Sequence, residues 1–141
     1  MVFIIILLGM LQSYSLLDNL GYYVYGLMPT ISGLVTSSLC LLFWAGIGLY
    51  CGYKNDKRYV IVASVFWLGE LVFYLIGFFL INNNVTGFIT GSLYGLRYII
   101  PLSKGFWLTI ALNAIAYTVS NLSFCIGHFI GKNKNESKIE Q

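Results

Sequence analysis

The sequence predicts an all-α fold, a polytopic transmembrane four-helix bundle with an additional interfacial or re-entrant helix between the third and fourth spans. Three observations predict it. The 141 residues are 58% hydrophobic and only 9% charged, whereas a soluble domain carries about 25% charged residues. The apolar residues run in stretches long enough to cross a hydrocarbon core of about 30 Å. The charges gather in one internal cluster, Lys54 to Arg58, and at the C-terminal end, with few elsewhere. A chain of this length makes one unit. Residues 1–131 are therefore expected to form a single transmembrane domain, and 132–141 a short polar cytoplasmic tail.

The first span covers about residues 1–20. It lacks the basic n-region and the small-residue cleavage site of a secretory signal, since no Lys or Arg precedes Lys54. Gln12, Ser15 and Asn19 recur at three- and four-residue steps, one helix face. Lipid satisfies no amide, so that face is expected to look into the bundle. From Leu20 to Gly52 there are 33 residues without a charge, too many for one span. Pro29 divides them, leaving Tyr22, Tyr23 and Tyr25 as an interfacial aromatic cluster and 30–52 as the second span. Within it Gly33 and Ser37 have the small-x3-small spacing of closely packed helices.

Lys54 to Arg58, KNDKR, is a short loop with three basic residues. The positive-inside rule places it in the cytoplasm. The third span, 59–81, then runs outward with Glu70 at its middle. Residues 85–100 hold Gly87, Gly91 and Gly95 at four-residue steps, together with Arg97, and Pro101 follows. A full crossing here would leave the C-terminal lysines outside, so a non-crossing segment on the outer side is expected. The fourth span, 106–130, presents Asn113, Tyr117, Ser120 or Asn121, Phe124 and His128 along one face. Both termini then lie in the cytoplasm of a cell-membrane protein. The echo of Ile47–Gly52 in Ile126–Gly131 hints at an internal repeat of two parallel helix pairs.

Chemistry concentrates at Glu70. A charge at mid-membrane costs about 2.5–3.5 kcal/mol on insertion scales, so it is paired, protonated or faces a cavity. Helix geometry gives Glu70 the bundle-facing neighbours Ala63, Phe66, Trp67, Phe73, Tyr74 and Gly77. Glu70 with Trp67 and Tyr74 is a candidate proton- or cation-coupling site, because aromatic faces beside a carboxyl suit an organic cation. A structural hydrogen bond to another helix is the plainer use. Asn113, Tyr117 and Asn121 are the candidate bundle-facing partners. Counting depth back from Ile130 ranks Asn121, Tyr117 and Thr118 nearest to Glu70, with Asn113 further out and His128 too far inward. Asp18 and Arg97 form a candidate outer-side ion pair.

No catalytic constellation is visible. Cys125 and His128 lie three apart without a third group, and Cys40, Cys51 and Cys125 form no CxxC pair. One His and no acidic cluster give no basis for a metal, and no cofactor motif is present. No basic face with interleaved polar residues suggests nucleic acid. Asn84-Val85-Thr86 is a formal glycosylation sequon. Size and span count invite comparison with small multidrug transporters, which also carry one membrane-embedded Glu. There it lies on the first helix and here on the third, so no residue is carried over.

The expected function is that of a small multi-pass membrane protein without enzymatic activity, an accessory or regulatory subunit or a helical bundle. The alternative is an oligomeric proton-coupled transporter of small or cationic solutes using Glu70. A membrane-embedded enzyme is the third reading. The expected partners are the lipid bilayer and either further copies of the chain or a membrane protein.

Overall fold

The computed structural model describes residues 10–19, 22, 27–76, 91–100 and 106–136. Among them the fold is all-helical, with no strand. Residues 10–19 form helix α1. Helix α2 is Ile31–Tyr53, α3 is Arg58–Ile76 and α4 is Phe106–Glu136, and a short 3-10 helix occupies Tyr94–Tyr98. Three helices, Ile31–Tyr53, Arg58–Ile76 and Phe106–Lys134, are long and apolar enough to span a membrane. Parts of the expected first and third spans (1–9, 20 and 77–81), Tyr23 and Tyr25 of the aromatic cluster, the 84–86 sequon, the start of the 85–100 segment with Gly87, Pro101 and residues 137–141 lie outside the described residues.

Local chemistry sets the ends of α2. Pro29 cannot continue a helix backwards, and Thr30 caps the start, its hydroxyl accepting the Gly33 N–H at 3.2 Å. At the far end Asn55 adopts φ 54°, the left-handed conformation that Asn tolerates better than most residues. The Asp56 N–H donates to the Cys51 carbonyl at 2.8 Å and the Asn55 N–H to the Gly52 carbonyl at 2.9 Å. This is a Schellman stop. Asp56 then accepts the Arg58 N–H at 3.2 Å and starts α3.

Side-chain contacts fix the directions. Asn19 meets Thr36 and Ser37 while Gln12 meets Cys40 and Trp44, so α1 runs antiparallel to α2. Tyr59 stacks on Phe124 and Tyr74 packs on Phe106, so α3 runs antiparallel to α4. Helices α2 and α4 are parallel and share the most extensive contact. Glycines make that seam. A Cβ on Gly52 would run into the Phe124 carbonyl, and one on Gly127 into the Leu49 carbonyl. At Gly48 a Cβ would meet the Ser123 hydroxyl and at Gly131 the Tyr53 carbonyl. The two echoing segments, Ile47–Gly52 and Ile126–Gly131, therefore pack on each other.

The seam rotates α4 relative to the expected face. Asn113, Ser120 and Phe124 of that face are buried, together with Leu108, Leu112, Ala116, Ser123 and Gly127, whereas Tyr117 and Asn121 are half-buried and His128 is exposed. Small side chains let two backbones approach, and that outweighs burying the larger polar ones. Helix α4 also continues to Glu136, so residues 132–136 are helical rather than part of an unstructured tail.

The outward faces are apolar. Val35, Leu39 and Leu42 on α2, Ile61, Val65, Leu68 and Val72 on α3, and Leu122, Ile126 and Phe129 on α4 are all exposed. Between 22% and 33% of the most apolar stretch of each long helix is buried inside the protein. An apolar surface of that extent suits hydrocarbon rather than water.

Candidate functional site

Two buried groupings stand out. The first is the inner stripe of α3. Tyr59, Ala63, Trp67, Glu70 and Tyr74 are the buried residues of that helix, at steps of four and three. Glu70 is 5% exposed and its neighbours Trp67 and Tyr74 are 1% exposed each. Phe73, reckoned among the bundle-facing neighbours, is 63% exposed. Phe66 is half-buried against Trp44 and Trp67, at ring separations of 5.2 and 5.0 Å. The Trp67 indole N–H is buried and has no hydrogen-bond partner among the described residues.

The antiparallel register set by Tyr59 with Phe124 and Tyr74 with Phe106 brings Glu70 level with the turn Ile110–Asn113 of α4. Asn113, 2% exposed, is thus the amide nearest that level. Its Nδ2 donates to the Thr109 carbonyl at 3.3 Å. Asn121 donates to the Tyr117 carbonyl at 2.9 Å, some two turns further along α4. The depth ranking that favoured Asn121 and Tyr117 took Ile130 as the helix end. The stacking of Tyr59 on Phe124 instead sets the start of α3 level with a residue six positions before Ile130, which displaces that count by about 9 Å toward Asn113.

The second grouping was not anticipated as a whole. It is a polar knot where the 91–100 segment enters between α1 and α2. The Ser92 carbonyl accepts from Ser15 Oγ at 2.6 Å and from Ser37 Oγ at 2.8 Å, and Ser92 Oγ accepts from Gln12 Nε2 at 3.0 Å. Ser37 Oγ in turn accepts the Gly95 N–H at 3.1 Å. Gln12 Oε1 accepts the Trp44 indole N–H at 3.2 Å, and Asn19 Nδ2 donates to the Ser15 carbonyl at 2.9 Å. Gly95 lies against the Gly33 carbonyl so closely that a Cβ has no room. The polar face Gln12, Ser15 and Asn19 thus looks inward, and both Gly33 and Ser37 meet a neighbouring segment. Ser92 carried no sequence signal, because its partners are 55 to 80 residues away.

Asp18 and Arg97 lie at the rim of this knot with different partners. Asp18 Oδ2 accepts from Ser32 Oγ at 3.2 Å and from Thr36 Oγ1 at 3.1 Å. Arg97 Nη1 donates to the Leu27 carbonyl at 3.1 Å and to the Tyr94 hydroxyl, and its guanidinium lies 5.5 Å from the centre of the Tyr94 ring.

No family model, curated protein or solved structure matches the chain. A functional reading therefore stands on these residues. The knot is dense in short-range hydrogen bonds within the fold, which suits fastening more than chemistry. The α3 stripe places the Glu70 carboxyl one turn from the Trp67 indole and one turn from the Tyr74 ring, all three buried.

Proposed function

We propose that the chain is a small multi-pass integral membrane protein that carries out no catalysis and serves as an accessory or regulatory subunit, assembled with a membrane partner or with copies of itself. The observation that carries this reading is the contrast between interior and exterior. The polar groups of α1, α2 and the 91–100 segment are engaged in tying those segments together. The outer faces of the three long helices are left as broad apolar surfaces. We read 85–100 as re-entrant, because Tyr74 and Phe106 bring the end of α3 to the start of α4. Irregular backbone at membrane depth is tolerated when protein surrounds it, and Leu93, Tyr94 and Gly95 are buried. A photoreactive residue at Val65 or Phe129, both exposed, tests assembly. Illumination in native membranes should give one discrete protein adduct, and adducts with lipid alone would overturn the reading.

The burial of Glu70 between Trp67 and Tyr74 on one helix face favours a second reading, an oligomeric proton-coupled transporter of small or cationic solutes. Under it, Glu70→Gln abolishes uptake driven by a pH gradient in liposomes. Wild-type protein that moves no solute under a gradient removes this reading.

A further inference from the structure

We propose that the basic end of the bundle binds an anionic phospholipid, with its phosphate at Lys54 and Lys134 and an acyl chain in an apolar groove along α2. Two independent observations meet there. The first is a convergence of charge that the sequence keeps far apart. Because α2 and α4 are parallel and α4 continues to Glu136, the Lys54–Arg58 turn and the end of α4 come to the same end of the molecule. Lys54 Nζ lies 6.0 Å and Lys134 Nζ 5.7 Å from the centre of the same Tyr53 ring. Gly131 packs on the backbone of that tyrosine, so two segments 80 residues apart in sequence are held beside one aromatic ring. Lys57, Arg58 and Lys132 are exposed around them, and Asp56 is the acidic side chain described at this end. Asp56 already caps the α3 N-terminus.

The second observation is a groove of about 220 Å³ lined by Leu42, Phe43, Gly46, Ile47 and Tyr50. Gly46 creates it, because a Cβ there would meet no atom within 4 Å. Its residues recur at helical steps along one face of α2, and Lys54, four residues past Tyr50, continues that face to the end of the helix. The groove therefore ends at Tyr50, one helical turn before Lys54. Hydrocarbon along its length with a phosphate at its basic end is the pattern of an anionic lipid, whereas a soluble anion would leave the groove without a role. The lysines also complement the negative ends of α2 and α4, which keeps them positioned. A basic side chain near an anionic leaflet strengthens attraction by about fivefold.

The proposal rests on the membrane reading, and its test separates the two. Purified protein is reconstituted in mixed phosphatidylglycerol and phosphatidylcholine vesicles, and flotation reports insertion. Native mass spectrometry of the detergent-released protein then counts retained lipids. Wild type should retain phosphatidylglycerol at least about tenfold over phosphatidylcholine. Lys54→Gln and Lys134→Gln should each cut that preference about fivefold, and both together more. Gly46→Leu, at an open position, should reduce phosphatidylglycerol retention with all lysines intact. Equal retention of the two lipids by floated wild type overturns the proposal. So does full displacement by inorganic phosphate with Gly46→Leu silent, which would mark a simple anion patch. Failure to float would instead sink the membrane reading itself.

Discussion

At the scale of single residues, the glycines separate into two kinds. Gly52 and Gly127 sit where a carbonyl of the other helix occupies the space of a side chain, and Gly46 and Gly69 face open space. Gly52→Ala and Gly127→Ala should each destabilise by about 1–3 kcal/mol, because backbone cannot move aside as a side chain can. Gly46→Ala should be neutral or stabilising by up to about 1 kcal/mol, as alanine favours the helix. Thermal unfolding in detergent distinguishes the two, and equal effects at all sites would refute the seam. Ser37 makes a similar case in polar terms. Ser37→Ala removes a donor to the Ser92 carbonyl and the acceptor of the Gly95 N–H. A buried backbone donor left unmet costs about 1–3 kcal/mol. Hydrogen exchange across 91–100 should accelerate in that variant while α3 stays protected.

At the scale of elements, the sequence marks some boundaries and misses others for definite reasons. The second span, expected at 30–52, is found at Ile31–Tyr53, because Pro29, Thr30 and the Asn55 turn are local signals. The inward polar face of α1 is legible because amides have nowhere else to go in a membrane. The face of α4 is legible in part: Asn113, Ser120 and Phe124 are buried, but polarity also marks Asn121 and His128, whereas packing depends on how small Ala116, Ser120 and Gly127 are. The extension of α4 to Glu136 is hidden by a polar composition that reads as tail. The expected pairing of Asp18 with Arg97 followed depth alone, and hydroxyl and carbonyl partners hold each of them. Parallel α2 and α4 carry a prediction of their own. With Cys51 and Cys125 replaced by Ser, Lys57→Cys and Asn133→Cys should react with an impermeant thiol reagent from the same side of a sealed vesicle. Reaction from opposite sides would mean that the two helices do not both cross in one direction.

At the scale of the whole molecule, the distribution of apolar surface is the governing fact. The described residues bury a compact aromatic core, with Trp44, Tyr59 and Trp67 at its centre, yet expose long rows of Leu, Ile, Val and Phe outside it. Protein expressed in cells should remain with the membrane pellet through alkaline carbonate extraction, and release into the supernatant would contradict that placement.

The knot around Ser92 also bears on the order in which the protein is made. Gln12, Ser15 and Ser37 emerge from the ribosome long before residue 92, so during synthesis their polar groups precede the backbone that will accept them. A chain halted after Tyr98 contains all the groups of the knot. A copy arrested before residue 91 lacks the acceptors of Gln12, Ser15 and Ser37 and should be degraded faster in a pulse-chase than one that carries residues 91–100.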